Sequence, residues 1–599
     1  MSFSIPKPVH RFHIPVMGTG FTIATPLRVA RYGISSVVSI VDDHLVEQTR
    51  QRVADQFGRV AHAIGPRDED SRARRITAYI DLLEELVAEQ VSALRQSVFD
   101  RGSEITRYFE MLPSSPLREQ YEQMIALADG PEKRALQEQL RAEIRAGSID
   151  VNIMTKLDRD PETGKLASGT PVSHAMAALR GFARSRGTGA VVLSAGLNLR
   201  LFSYIGEFED FLPDVAGNLR KRVILKVQDL RSAAIQGKVL AKRGVWVSEF
   251  RVESGLNCGG HAFGDRGRVL GPILEEFVEG RAALCEQLLK ITNRALKAAG
   301  RPTFETAPDN RLTVQGGIGT SDENEMLHEF YGVDGTGWGS PFMVVPEVVS
   351  IDDDHLEKLV AAGEDDVELS GSSPLGVPFW NLRTSGSEAQ RRAEIETGKP
   401  GSRCTKGFLI SNFEHAAKGL CTASKGFQKI ALEKLAGESL TPEERADRVQ
   451  QVHAKACLCR NLAAGAEPID ENGEARPTAV CCGPNTAYFN AVTTLREMVD
   501  HIHGRVHLTL PAHRPHMFVK ELRLHVAEME KLLERGMQGL AEVRPETVSE
   551  TRENLLQAVD HYRERAQEIA GSRVGSFLEQ LENVHAQIVR LDASADAIA

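Results

Sequence analysis

Glycine-rich turns, one histidine and a crowd of cysteines are the residues of this chain whose types and spacing suit chemistry. Leu312-Thr-Val-Gln-Gly-Gly-Ile-Gly319 ends a β-branched run and meets Thr320, a good helix cap with Asp322 and Glu323 in the first turn behind it. Glycines allow close backbone approach and a helix N-terminus presents free N–H groups, so a phosphate suits this turn. A second turn, Gly337-Trp-Gly339-Ser340, stands on what would be the next strand. Two such turns on consecutive strands form a phosphate cradle at the C-terminal face of a barrel. Either turn alone is equally a tight connection without a ligand. Gly18-Thr-Gly20 and Cys258-Gly259-Gly260-His261 end two further runs. The His261 imidazole titrates near neutral pH, which suits proton transfer, although a histidine satisfying a loop is the plainer alternative.

Six of the eight cysteines lie between Cys404 and Cys482. Cys457-Leu-Cys459 and Cys481-Cys482 lack the Cys-x-x-Cys spacing of a zinc ribbon or a bacterial ferredoxin. Four thiolates hold a [4Fe–4S] cluster or a zinc ion, and Cys404, Cys421, Cys457 and Cys459 would suffice, with Cys481 as an alternative ligand. Buried inert thiols remain the competing reading.

These groups need a frame to hold them. The chain has 599 residues, 42% of them hydrophobic and 26% charged, which excludes a mostly disordered protein. Acidic residues outnumber basic ones 82 to 72, a balance that argues against nucleic acid or an anionic membrane as partner. No membrane span or secretory signal is evident, and the sparse cysteines fit a reducing cytoplasm.

Along the chain, His13–Met17 and Gly33–Ile40 read as strands. Residues 42–147 read as a helical insertion, with Ile76, Ile80, Leu83, Val87 and Val91 at helical spacing. Runs at Ile149–Met154, Gly189–Ser194, Val223–Val227, Gly244–Val252, Leu312–Gln315 and Gly332–Val345 then alternate with helical segments, the pattern of βα units. The expected fold is an α/β (β/α)8 TIM barrel, with a doubly wound sheet as the alternative. The first barrel strands lie in 1–41, the insertion in 42–147 and the main barrel in 148–346. A loop-rich cysteine-bearing region covers 347–513, and a C-terminal helical hairpin or bundle covers 514–599. No nucleophile elbow, Walker motif or nicotinamide Rossmann turn is seated between a strand and a helix.

The motifs resemble those of the nitronate monooxygenase and 2-nitropropane dioxygenase group, which includes flavin-dependent enoyl reductases. The resemblance rests on Val16-Met-Gly-Thr-Gly20, Val151-Asn-Ile-Met154, Cys258-Gly-Gly-His261, Gly316-Gly-Ile318 and Gly339-Ser340. It covers residues 10–40 and 148–346. In this chain Ser-Gly-Leu-Asn-Cys separates Glu253 from Gly259, a longer loop than the family's. The resemblance implies FMN, with Gly316, Gly317, Gly319, Gly339 and Ser340 at its phosphate. It implies Met17, Gly18, Asn152, Lys226 and Gly260 near the ring and His261 as the proton-transfer residue. A small-molecule substrate, NAD(P)H or another electron donor, and a homo-oligomer are expected with it. The alternatives are an iron–sulfur or zinc redox protein that uses the barrel as scaffold, and a non-catalytic assembly component.

Overall fold

The structure, a computed structural model, describes residues 8–155, 158–160, 173–258, 266–469, 473, 475–508, 510–511 and 513–596. Eight parallel strands close into one barrel in sequence order. They are β1 Phe12–Ile14, β2 Ser35–Ser39, β3 Ile149–Ile153, β4 Ala190–Leu193, β5 Arg222–Val227, β6 Glu249–Glu253, β7 Arg311–Gln315 and β8 Gly335–Gly337. Closure comes from β1 pairing with both neighbours, His13 lying opposite Ser35 of β2 and Gly337 of β8. The expected (β/α)8 barrel is the observed fold.

Several strands are shorter than the sequence suggests, β6 and β8 most of all. Gly244 takes φ 77°, a left-handed turn that ends the preceding helix, so the strand starts only at Glu249. After Gly337 the chain enters a short 3₁₀ turn, Ser340–Val344, with Pro341 in its first turn.

The 42–147 segment connects β2 to β3 through five helices, Asp43–Gln56, Ser71–Gln96, Glu104–Met111, Pro116–Ala126 and Pro131–Glu143. The longest buries Ile76, Ile80, Leu83, Val87 and Val91 and packs on the barrel helix His174–Arg184. Asp70, just before it, accepts from Arg180 Nε at 2.8 Å, and Thr77 Oγ1 donates to Gly181 O at 2.8 Å.

After β8, Val367–Ser370 (β9) and Phe379–Leu382 (β10) form a small antiparallel sheet. At the C-terminus stand three long helices, Met517–Met537, Pro545–Glu564 and Val574–Asp596, rather than a simple hairpin. The first two dock on the barrel helix Leu270–Ala298, and the third packs on both of them. Tyr562 stacks on Phe518 with centroids 4.7 Å apart, and its hydroxyl accepts from Gly271 N at 3.0 Å. Among the described residues no helix is long and apolar enough to cross a membrane.

Inward-facing residues alternate along each barrel strand. A small apolar layer of Val37, Ala190, Val192 and Ile224 separates two polar ones. On the N-terminal side lies the Glu249 carboxylate, which accepts from Arg251 Nε at 2.8 Å and from Thr313 Oγ1 at 2.5 Å. Burial pushes its pKa up, but Arg251 and Arg311 outweigh that and hold it at about 2. On the C-terminal side lie Ser39, Asn152, Lys226, Glu253 and Gln315.

Candidate active site at the barrel mouth

Strand alternation carries the C-terminal polar layer to the mouth of the barrel, the end where barrels of this kind place their chemistry. Glu253 is its hub. Its Oε1 accepts from Lys226 Nζ at 3.0 Å, Asn257 Nδ2 at 2.8 Å and Gln315 Nε2 at 2.8 Å. Lys226 therefore holds a buried ion pair instead of ending a strand in solvent. Asn152 is 4% exposed, and its Oδ1 is buried without a partner among the described residues. An orphaned buried acceptor is costly, so this atom is a ready contact for a ligand donor.

Loop geometry follows from the accessory segments. Ser254 Oγ donates to Glu521 Oε1 at 2.5 Å, Leu270 N donates to Glu521 Oε2 at 2.8 Å, and Trp380 Nε1 donates to Gly255 O at 2.8 Å. The C-terminal bundle and β10 thus brace the loop that leads into Gly260 and His261. Those two residues lie outside the described residues.

Met17 is fully buried in the main core, and Gly18 takes φ 53°. Leu462 covers this turn: its carbonyl accepts from Gly20 N at 3.1 Å. The β1 turn is therefore roofed by the segment that follows the Cys457-Leu-Cys459 run.

The β7 turn is built as the sequence suggests but used differently. Gly316 and Gly317 take φ 108° and 81°, where a side chain would be strained, and a Cβ on Gly316 would stand 2.8 Å from Asn257 N. Gly319 N and Thr320 N donate to Glu323 Oε2 at 2.9 and 3.2 Å, closing a capping box. Glu323 is itself buried. Arg514 NH1 and NH2 donate to its two oxygens at 2.8 Å each, and Met517 N adds a bond at 2.8 Å. Burial pushes the Glu323 pKa up, but Arg514, then His516, hold it at about 2. The helix N-terminus expected to receive a phosphate thus already holds an anion of the chain. Asn485 Nδ2 donates to Gly317 O and Ile318 O at 2.8 Å, and His501 Nε2 lies 2.9 Å from Gly319 O.

At the β8 turn, Gly339 backs onto Cys258, whose Sγ would be 2.2 Å from an added Cβ. Ser340 Oγ accepts from Gly483 N at 3.1 Å, and burial pushes the Cys258 thiol pKa up. Gly319, Gly339 and Ser340, expected at a phosphate, make internal contacts here. The N–H groups of Gly317 and Ile318 find no partner among the described residues. Beside them Arg514, its side chain 7% exposed, keeps a buried Nε without a partner.

A flavin mononucleotide needs hydrogen-bonding groups at its ring and N–H donors at its phosphate. Orphaned Asn152 Oδ1 and the Lys226–Glu253 pair meet the first need. Orphaned Arg514 Nε with the Gly317 and Ile318 N–H groups meets the second, so these residues fit the group. Arg514 and Asn485 carry no motif in the sequence. Glu323 has a signal in its place three residues after Thr320, and Glu253 in its place ahead of the Gly-Gly-His run.

Seven of the eight cysteines fall into two groups, and Cys285 stands apart on the helix Leu270–Ala298. Cys404, Cys421, Cys457 and Cys459 line one small void. Cys481 does not line it, although it shares a small apolar core with Cys421; Cys258, Cys481 and Cys482 make the second group. No disulfide joins any of the eight. At the opposite, N-terminal end of the barrel a cavity of about 860 Å³ is lined by Arg222, Glu249, Arg251 and Arg311 among others.

No family model matches the chain, and no curated protein matches it. Solved structures resemble it, among them the following two. FabK from Thermotoga maritima is 14% identical, with 67% of this chain and 85% of that one covered and a TM-score of 0.30. Nitroalkane oxidase from Streptomyces ansochromogenes is 12% identical, with 62% and 84% covered and a TM-score of 0.28. The likeness to both is one of fold alone.

Proposed function

We propose that this chain is an oxidoreductase that binds FMN at the C-terminal mouth of its barrel and acts in the manner of the nitronate monooxygenase and enoyl reductase group. The observation that carries the reading is Asn152 Oδ1, a buried acceptor without a partner, in a barrel layer otherwise made of Ser39, Lys226, Glu253 and Gln315. A layer that served packing alone would be filled by branched apolar side chains.

When bound, the flavin supplies two-electron and one-electron redox chemistry. Arg514, Gly317 and Ile318 would hold its phosphate, and Asn152 would accept from its ring. Lys226 brings a fixed cation to the mouth, which favours negative charge developing there. Glu253 keeps that ammonium in place through a 3.0 Å bond. Met17 and Leu462 close the β1 side with apolar surface and keep water out. His261 moves the proton of a small-molecule substrate, and NAD(P)H is the donor class for the reductive direction.

Purification without oxygen, an absorbance spectrum and identification of the acid-released cofactor test this reading. FMN near one per chain, with weaker retention in Asn152→Ala, supports it. A chain that carries no flavin and takes up none when FMN is added overturns it.

A further inference from the structure

The cysteine region builds a site that the flavin reading does not use. Two separate pieces of chain make it. The first runs from Ser402 to Ser424, whose bridge brings the ends of the excursion together, while Asn412 pairs with Leu420 inside it. Cys404 and Cys421 are thereby brought to the same void. The second is the short helix Leu458–Asn461, capped by Cys457 and carrying Cys459 in its first turn. All four cysteines line one void, and Cys421, with Cys481, Leu409, Ala423, Ala456 and Leu458, belongs to a small apolar core beside it.

The backbone amides of Gly407, Ala423, Arg460 and Leu409 favour the thiolate forms of Cys404, Cys421, Cys457 and Cys459 in that order, as a set of metal ligands would require. Lys406 and Arg460 act on Cys457, and Arg159 acts on Cys404. Those cations offset the negative charge that four thiolates bring to a metal centre.

Size decides between occupants. Four thiolates on zinc stand about 2.3 Å from the ion, which leaves no water-sized gap among them. Here the four side chains line a void of about 10 Å³, room for one water-sized sphere. Among the described residues, the one group of three metal-ligating side chains with all ligand atoms within 4.8 Å is Asp352, Asp354 and His355, not a set of these cysteines. The thiols are spread for a larger centre.

We propose that Cys404, Cys421, Cys457 and Cys459 ligate a [4Fe–4S] cluster set against the mouth of the barrel. Its place is fixed by Lys406, whose ammonium pairs with Asp42 at the end of β2, and by Leu462, which roofs the β1 turn. The site stands apart from the flavin reading, and either can fail alone, because iron with sulfide and acid-released flavin are assayed separately.

The test uses the full chain made in iron-supplemented cells and purified without oxygen. About four iron and about four labile sulfide per chain are expected, with a broad brown absorbance and an electron paramagnetic resonance signal after dithionite reduction. Cys421→Ser and Cys459→Ser are expected to lose at least half of the iron, while Cys285→Ser and Cys481→Ser keep it. Should the ligand variants fail to fold, thiol alkylation of the native wild-type chain gives the same answer. Four cysteines, these four, should react only after iron is chelated. One zinc per chain without sulfide, a metal-free chain, or alkylation of the four before chelation overturns the proposal.

Discussion

Arg514 clasps Glu323 with both terminal nitrogens, 2.8 Å from each oxygen, and so ties the start of the C-terminal bundle to the β7 turn of the barrel. Both residues are buried, so neither charge has water to fall back on. Arg514→Met should therefore destabilise the chain by about 3–5 kcal/mol, because it strands the carboxylate. Arg514→Met with Glu323→Gln should regain most of that loss, since no uncompensated charge remains. If Arg514 also seats a phosphate, the double variant still binds FMN at least ten-fold more weakly than wild type. Urea denaturation and a flavin titration on both variants read the two effects separately. Full recovery of FMN binding in the double variant would confine Arg514 to a structural role.

Glu249 makes the corresponding prediction inside the barrel. Its folded pKa of about 2 lies below the ordinary 4.5. A depressed carboxylate contributes stability above its unfolded pKa and loses it as pH falls through the folded one. The loss should run from about pH 4.5 down to about pH 2 and amount to about 3 kcal/mol. Glu249→Gln should flatten that acid limb, and at neutral pH it should destabilise by leaving Arg251 and Arg311 without their carboxylate. An acid limb of unchanged steepness in the variant would refute the assignment.

Lys226 tests the electrostatics of the mouth. In Lys226→Met the Glu253 carboxylate keeps its bonds from Asn257 and Gln315, so the fold should persist. The mouth then carries a net negative charge where it had a neutral pair. Bound flavin should become harder to reduce, with a potential shifted to more negative values, and turnover should fall by at least ten-fold. Spectroelectrochemistry reads the potential directly. An unchanged potential would mean that Lys226 serves only to neutralise Glu253.

The barrel was legible because its signals are local. Alternating strands and helices need only a window of a few residues, and the β7 turn announced itself through Gly316, Gly317 and the Thr320–Glu323 capping box. What the sequence hid was who would use those groups. Glu323 reads as an ordinary first-turn acid, and only the fold brings Arg514 onto it from a distant segment. Asn485 is equally silent, since nothing in its neighbourhood suggests that it caps the carbonyls of Gly317 and Ile318. The cysteines illustrate the same limit in reverse. Their crowding was visible, but Cys481 is as near in sequence as Cys421, and only the fold separates it from the void. The ion pair of Lys226 is silent in the sequence because Glu253, its partner, belongs to the next strand.

His10 and His503 supply a pH response distinct from that of the carboxylates. Their rings stack with centroids 5.6 Å apart, Nδ1 of His10 lies 3.4 Å from Nε2 of His503, and His10 Nε2 donates to Tyr32 O at 3.1 Å. With Nε2 as donor, His10 Nδ1 is the acceptor, so the pair is satisfied when both rings are neutral. Burial lowers the His10 pKa to about 4, and burial, His10, Arg505 and Arg118 lower that of His503. The unfolded chain therefore takes up protons first as pH falls, and stability is lost from about pH 6.5 down to about pH 4. His10 alone accounts for about 3 kcal/mol of that loss. His503→Phe keeps a ring against Phe12 and removes one titrating group, so the fall in stability across this window should become shallower. Urea midpoints measured at a series of pH values for wild type and variant decide the matter. Parallel curves between about pH 6.5 and about pH 4 would show that protonation of this pair does not drive the loss.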